Sequence, residues 1–290
     1  NMSKIWYGVK VIILAGGKTN LPGKLKNIPK SLIQINEKPL IEYQLDLLKK
    51  YKFNDICLSL SFGADKILEY LKTKDPQADI SKKQGNVAGI EYIVESKSLG
   101  TGGAIKLAAQ KIKKDFMVMN GDVLTNIDLN DYVNFYKKRI SQPRFFGSSS
   151  FMQSITPRIL PLEVSPFRKR VSYKENLGAR ALHYDQNVSG MGLVKTKNEK
   201  VVDFLQNPDY QYSGYVNAGF YILSPEIFKM KFLKLKKKTE AFNIEDDVFP
   251  ELAKNRQLLA YVHRGLWADI GKEERLEKAE SVAEKLNEKE

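Results

Sequence analysis

Four short groups of residues have the types and spacing to do chemistry on phosphates. The first follows the apolar run VIIL and reads Ala15-Gly16-Gly17, with Lys18, Lys24, Lys26 and Lys30 behind it. Glycines after a strand let backbone N–H groups approach phosphate oxygens closely, and lysines add charge. The segment is neither a Walker loop nor the dinucleotide G-x-G-x-x-G fingerprint, and alone it reads equally as a structural turn. The second is Ser98-Leu99-Gly100-Thr101-Gly102-Gly103-Ala104, leading into a helical pattern. Small residues there would let a flat base lie against the backbone; a glycine-rich helix start is the other reading. The third and fourth are single carboxylates, Asp122 in MNGDVL and Asp269 in LWADIG. Each alone also fits a cap or a surface acid. Two carboxylates completed by substrate phosphates are the usual way Mg²⁺ is held.

Apolar spacing predicts the elements that must position these groups. Residues 9–14, 54–61, 89–94 and 115–119 read as strands, and 41–52, 65–73 and 101–112 as helices. Strand and helix alternate at short spacing, which predicts an α/β, doubly wound, mostly parallel sheet. In such sheets ligands sit beyond the carboxyl ends of the strands. Residues 15–30 and 99–103 and Asp122 all follow strands, so they should converge on one cleft.

The pattern changes near residue 140. Residues 142–180 carry prolines, serines and scattered basic residues and read as loops and irregular strands. A hairpin is predicted over 188–204 with its turn at Lys197-Asn198-Glu199, then a strand at 215–223, a capped acidic helix at 243–253 and a strand at 258–262. Residues 265–271 read as a loop, and 273 onward as a charged amphipathic helix that caps the fold, packs on a partner or stays solvated. The second half reads as a mixed lobe continuing the first sheet. The expected organisation is one domain over 2–290, with halves 9–140 and 141–272 and a helix at 273–290.

Hydrophobic residues make up 42% of 290, enough for a full core, and the net charge is +13. No apolar run approaches the roughly 20 residues of a membrane span, and the first ten residues lack a signal-peptide core. A cytoplasmic, non-membrane protein is expected. The single cysteine, Cys57, excludes an internal disulfide, and with two histidines a Cys- or His-rich zinc site is not expected. The positive charge suits phosphate-bearing ligands or simply a lysine-rich surface. Its densest run, KMKFLKLKKK at 229–238, is followed by no nucleic-acid-binding motif, so no nucleic-acid partner is expected.

Taken together, the segments VIILAGG, IPKSLIQINEKPLIEYQLDLL, SLGTGGAI, NGDVLTNIDL, YVNAGFYILSPEIF, NIEDDVFPELA and LWADIG resemble the sugar-1-phosphate nucleotidyltransferases, or nucleotide-sugar pyrophosphorylases. They occur in that family's order and at roughly its spacing, from residue 11 to about 279. The LGTGGA and NGDVLTNIDL forms look most like the mannose- and heptose-1-phosphate guanylyltransferase branch, although similar forms occur in uridylyltransferases. The resemblance implies a Rossmann-like, glycosyltransferase-A-like fold with a C-terminal sugar-binding lobe. It implies condensation of a nucleoside triphosphate with a sugar 1-phosphate, Mg²⁺ as cofactor, and compatibility with a homo-oligomer. Carried onto this chain, Lys30 would bind phosphate, with Lys18 and Lys24 adding charge beside it, and Asp122 and Asp269 would hold the metal. Leu14, Ala15, Gly16, Gly17, Thr19, Leu99, Gly100, Thr101 and Gly121 would contact the nucleotide. Gly192, Asn207, Asn217 and Gly219 would contact the sugar.

Two matched positions depart from the family pattern. Its first loop normally reads G-G-x-G-T-R; here it reads Gly16-Gly17-Lys18-Thr19-Asn20-Leu21, so an amide stands at the arginine position. Its F-x-E-K-P motif reads Phe204-Leu205-Gln206-Asn207-Pro208. A guanidinium grips phosphate bidentately and an amide does not; losing such a clamp costs on the order of 10²–10³ in rate. Two hypotheses follow: an active enzyme with a rearranged phosphate cradle, drawing on Lys18, Lys24 or Arg168-Lys169-Arg170, or a nucleotide-sugar-binding regulatory paralogue. Retention of Lys30, Asp122 and Asp269 favours the enzyme.

Overall fold

The computed structural model describes residues 8–19, 23–140, 176–186, 188, 191–205, 213–230 and 241–288. Asn20, Arg168, Lys169, Arg170, Gln206 and Asn207 lie outside these residues, as does most of the basic run at 229–238.

The first half runs β1 (Val11–Leu14), β2 (Gln34–Ile35), β3 (Lys38–Pro39), α1 (Leu40–Lys50), β4 (Ile56–Leu60), α2 (Ala64–Lys72), β5 (Gln84–Val87), β6 (Ile90–Val94), α3 (Gly100–Ala108), β7 (Phe116–Asn120), β8 (Val123–Thr125) and α4 (Leu129–Ile140). The second half runs β9 (Gly178–Asp185), β10 (Leu193–Lys197), β11 (Lys200–Leu205), β12 (Gly214–Leu223), a π-helical turn at Ile244–Val248, α5 (Phe249–Lys254), β13 (Leu258–His263), β14 (Trp267–Asp269) and α6 (Leu276–Asn287).

Ten strands form one sheet in the order β10-β11-β13-β9-β12-β7-β1-β4-β6-β5. Its centre is the parallel set β7-β1-β4-β6. β7, β1 and β4 are short and apolar because both of their faces are covered, as central parallel strands require, while β6 exposes Glu91. In β1, Val11 and Ile13 pack with α1, α2 and α4, while Ile12 packs on the opposite face with α3 and α5. The period-2 alternation of a strand thus sends one residue to each helical layer.

The expectation of a mostly parallel sheet describes that central set and not the whole. β5 joins β6 antiparallel, β12 joins β7 antiparallel, and β9 to β12 is antiparallel again, so the complete sheet is mixed. The β12–β7 ladder makes the sheet continuous between the two halves of the chain. The hairpin β10–β11 turns at Asn198 and Glu199, both with positive φ, the backbone of a two-residue turn matched to strand twist.

Three further differences concern residues that hold the site. The stretch read as irregular up to residue 180 contains the start of β9, a central strand. The predicted loop at 265–271 contains β14, which pairs antiparallel with β8. The acidic helix expected at 243–253 divides into a π-helical turn and the short α5. The terminal helix α6 buries Ala279, Val282 and Ala283 against Ile33, Ile35, Leu40, Leu124 and Ile270, so it caps the fold beneath the site.

Candidate active site

The glycine-lysine segment is built by β1 and one isolated bridge. β1 ends at Leu14, and the amide of Ala15 donates to Ser59 O at 2.9 Å. Lys18 then bridges Pro29, and the Lys30 amide donates to Gly17 O at 3.3 Å. Pro29 is extended and cannot continue a helix backward, so Lys30 starts a fresh 3-10 turn at the mouth of the cleft. There its Nζ donates to Asp122 Oδ2 at 2.8 Å, with the two side chains 19% and 27% exposed. Lys24 falls in a separate short turn, Gly23–Leu25.

Asp122 follows β7 and is fixed by its neighbours. The Gly121 amide donates to Leu14 O at 3.0 Å, and a side chain at Gly121 would meet that oxygen at 2.4 Å. Only glycine permits so close an approach between the two turns. Gln44 Nε2, on the buried face of α1, donates to Asn120 O and Val123 O at 2.9 and 3.0 Å, clasping the turn from below. On the other side, Ile270 N–H donates to Asp122 O at 3.0 Å, and Asp269 stands opposite Val123 in the β8–β14 ladder. Two carboxylates far apart in sequence are therefore delivered by adjacent strands.

Two clefts meet at this turn. The first, about 480 Å³, is lined by Leu14, Gly16, Gly17, Lys18 and Lys30 together with Gly100, Thr101, Gly121 and Asp122. Ala15, Thr19 and Leu99 are buried and do not line it. The second, about 470 Å³, takes in Gly192, Asn217, Arg180, Glu245, Trp267, Asp269 and Arg275. Asn120 and Asp122 line both clefts. Gly219 is outside the lining; its φ of 79° lets it pack against Val123 and Asn120.

The first cleft is walled in part by small residues. At the start of α3, Gly100 has φ 68°, and the Gly102 and Gly103 amides both donate to Phe242 O, at 2.9 and 3.2 Å. Thr101 N–H donates to Asn243 Oδ1 at 3.3 Å. These amides are taken, so the start of α3 is not an anion-binding helix end; Gly102 and Gly103 pack inward, and Gly100, Thr101 and Ala104 form a small-residue wall on the cleft. Ser31 Oγ, Ser59 Oγ and Asn120 Oδ1, all beside this cleft, are buried without a hydrogen-bond partner. Buried polar atoms left unpaired are costly, and in a cleft they point to a ligand. Glu95 accepts from Leu99 N–H at 2.8 Å, and burial raises its pKa above the ordinary carboxylate value.

A side-chain chain links the two clefts. Thr101 Oγ1 donates to Glu245 Oε2 at 2.5 Å, Tyr221 OH to Glu245 Oε1 at 2.9 Å, Asn217 Nδ2 to Tyr221 OH at 2.6 Å, and Arg180 Nε to Asn217 Oδ1 at 3.0 Å. Arg180 is 5% exposed and lies over the rings of Phe204 and Phe249. Burial pushes its pKa down, and the nearby Tyr221 and Glu245 oppose that shift.

Asp122 and Asp269 are hard oxygen donors facing one cleft, with the unpartnered Asn120 Oδ1 at the same junction, a donor set that suits Mg²⁺. Among the described residues no group of three or more His, Cys, Asp or Glu could hold a metal. An ion held here would take its remaining ligands from substrate oxygens and water.

The residues missing from the sequence reading are Gln44, Ser31, Ser59, Arg180, Glu245 and Arg275. Only Gln44 carries a signal in the sequence: it is a polar residue among the apolar positions Ile41, Leu45 and Leu48 of a helix face. No helix among the described residues is long and apolar enough to cross a membrane.

A family model described as nucleotidyl transferase matches residues 10–148 and 166–285. Among curated proteins, the mannose-1-phosphate guanyltransferase of Aspergillus oryzae is 27% identical over 277 residues, covering 91% of this chain and 61% of that protein. The chain thus spans under two thirds of that relative. Among solved structures, HddC from Yersinia pseudotuberculosis has a TM-score of 0.67 at 26% identity, over 94% of this chain and 99% of that one. The same protein complexed with GMP-PN gives 0.64 at 25% identity, with the same two coverages. The matched segments carry both clefts and both carboxylates, and this chain belongs to the nucleotidyl transferase family.

Proposed function

We propose that this chain condenses a nucleoside triphosphate with a sugar 1-phosphate, giving a nucleotide-sugar and pyrophosphate. The observation that carries the reading is Asp122 lining both clefts, so that a nucleotide in one and a sugar phosphate in the other would meet at its carboxylate. GTP with a mannose- or heptose-type 1-phosphate is the favoured pair. Its support is the Aspergillus oryzae mannose-1-phosphate guanyltransferase and the GMP-PN complex of HddC. Leu14, Gly16, Gly17, Gly100, Thr101 and Gly121 contact the nucleotide in this proposal, and Gly192 and Asn217 the sugar. The fold acts as one doubly wound nucleotidyltransferase unit, in the cytoplasm where nucleoside triphosphates are made.

The chemistry asks little covalent work of the protein. A phosphate oxygen of the sugar 1-phosphate, already anionic at neutral pH, attacks the α-phosphorus in line. A new P–O bond forms, the bond from α-phosphorus to the bridging oxygen breaks, and pyrophosphate departs with the electron pair. No general base is needed because the nucleophile carries no proton to remove. Catalysis is then positioning and charge neutralisation. Lys30 sits at the junction to neutralise the phosphates, and the small-residue wall at the start of α3 orients the base. Mg²⁺ held by Asp122 and Asp269 would supply further positive charge at the α-phosphate.

The test is Mg²⁺-dependent pyrophosphate release over a grid of GTP, UTP, dTTP, CTP and ATP against the 1-phosphates of mannose, glucose, N-acetylglucosamine, galactose and a heptose. Turnover in a cell of the grid, lost in Asp122→Ala, is the expected result. Nucleotide binding with no turnover anywhere would contradict the proposal and leave a regulatory binder.

A further inference from the structure

We propose that Arg275 is the phosphate-binding cation of the second cleft, held in reserve on Asp269 until metal and sugar phosphate arrive. The inference rests on the nucleotidyltransferase reading of the two clefts. Arg275 Nη1 lies 2.6 Å from both Oδ1 and Oδ2 of Asp269, and the Gly271 amide donates to Oδ1 at 2.9 Å. The two side chains are 19% and 14% exposed, and both line the second cleft. Lys30 stands in the same relation to Asp122. Each carboxylate at the junction is thus neutralised by an internal cation.

That pairing has a consequence for ligand binding. Asp122, Asp269, Glu245 and Asp246 all line the second cleft, so a sugar 1-phosphate dianion would enter an acidic site. Two cations among the described residues line it, Arg180 and Arg275. Arg180 is 5% exposed, held through Nε by Asn217 and covered by two phenyl rings, with its buried Nη1 unpartnered among the described residues. Among the described residues the Arg275 side chain is bound only through its tip, and it sits where the short turn Glu273–Arg275 meets α6, on the Asp269 side of the cleft. The position where the family places a lysine carries Asn207, and residues 206–212 include no lysine or arginine at all. A divalent ion on Asp269 would displace the guanidinium, whose fork would then be free for the phosphate oxygens.

The test uses the whole chain, with Mn²⁺ as probe ion and inorganic phosphate as probe anion. Mn²⁺ binding to substrate-free wild type, Arg275→Gln and Arg275→Lys is read by water-proton relaxation, and phosphate binding at saturating Mn²⁺ by calorimetry. Arg275→Gln should bind Mn²⁺ about tenfold more tightly and phosphate about tenfold more weakly, the scale of one charged hydrogen-bonded contact. Arg275→Lys, which keeps the charge and loses the fork, should fall between wild type and Arg275→Gln in both. A purely structural role would misplace Asp269 and weaken both ligands. Unchanged or weaker Mn²⁺ binding in Arg275→Gln, or unchanged phosphate binding, would overturn the proposal. Neither readout depends on turnover. A chain that bound both probes as expected yet formed no nucleotide-sugar would overturn the enzyme reading alone.

Discussion

Asp269 is delivered to the site through Asp122: the amide of Ile270, the residue after Asp269, donates to the carbonyl of Asp122 at 3.0 Å. The same strand pair sets Asp269 opposite Val123. Backbone hydrogen bonds, not side chains, therefore fix the relation between the two carboxylates. Either acid can be replaced by its amide without loosening the framework, which makes the site testable residue by residue.

Lys30 and Asp122 form one unit. Lys30→Met and Asp122→Asn should each lower turnover by about 10²–10³-fold, the scale of losing one preorganised charge at a transition state. The double variant should fall well short of the product of the two losses, because groups acting as a unit are not additive. Steady-state kinetics on the three variants, with circular dichroism to check folding, measures this.

Two glycines separate packing from binding. A side chain at Gly121 would meet Leu14 O at 2.4 Å and Ala15 Cα at 3.0 Å, backbone atoms that cannot rotate away. Gly121→Ala should cost about 1–3 kcal/mol in urea unfolding, as overpacking does. At Gly192 the nearest atom is Leu205 O at 3.7 Å, an ordinary contact. Gly192→Ala should leave stability unchanged and raise KM for the sugar phosphate.

The link between the clefts should be felt in stability and in binding. Tyr221 OH donates to Glu245 and accepts from Asn217. Tyr221→Phe leaves both partners short of a bond in a buried place and should cost about 1–3 kcal/mol. It should also raise KM for the sugar phosphate more than KM for the nucleotide, since Asn217 and Arg180 line the second cleft, where the sugar phosphate is proposed to bind. Thermal unfolding and two-substrate kinetics on this variant check both statements.

Acid should destabilise the protein earlier than its carboxylates alone would. Burial, with Lys278 nearby, lowers the His183 pKa from 6.5 to about 4, and burial lowers His263 as well. A depressed histidine pKa means the unfolded chain takes up the proton first. The stabilising contribution is complete above about pH 6.5 and is lost as pH falls toward 4. Melting temperature measured from pH 8 to pH 4 should fall across that window, and His183→Phe should flatten the fall.

Legibility in the sequence followed periodicity and length. The central strands were readable because a strand buried on both faces is an unbroken apolar run, as in VIIL and ICLSL. Helix α1 was readable from Ile41, Leu45 and Leu48. Strand β9 was hidden because GARALHYD carries Arg180, a buried charge that only its partners Asn217 and Glu245 make tolerable. Strand β14 is three residues long, too short for alternation to register, yet it positions Asp269. Helix α4 is absent from the helices read from the sequence, although Leu129, Tyr132, Val133 and Tyr136 stand at helical spacing. The chemically typed residues Lys30, Asp122 and Asp269 could be named from their motifs. Gln44 shows only as a polar residue on an apolar helix face, and Arg275 meets Asp269 through geometry that no spacing rule encodes.

Isotopic label separates nucleotidyl transfer from nucleotide binding. GTP carrying ³²P at the α-position, and separately at the γ-position, is incubated with Mg²⁺ and mannose 1-phosphate or a heptose 1-phosphate. The α-label should appear in the nucleotide-sugar and the γ-label in pyrophosphate, in equal amounts, with both transfers lost in Asp122→Ala. Label remaining in GTP that is bound but never consumed, or γ-label appearing as inorganic phosphate, would contradict the proposed transfer.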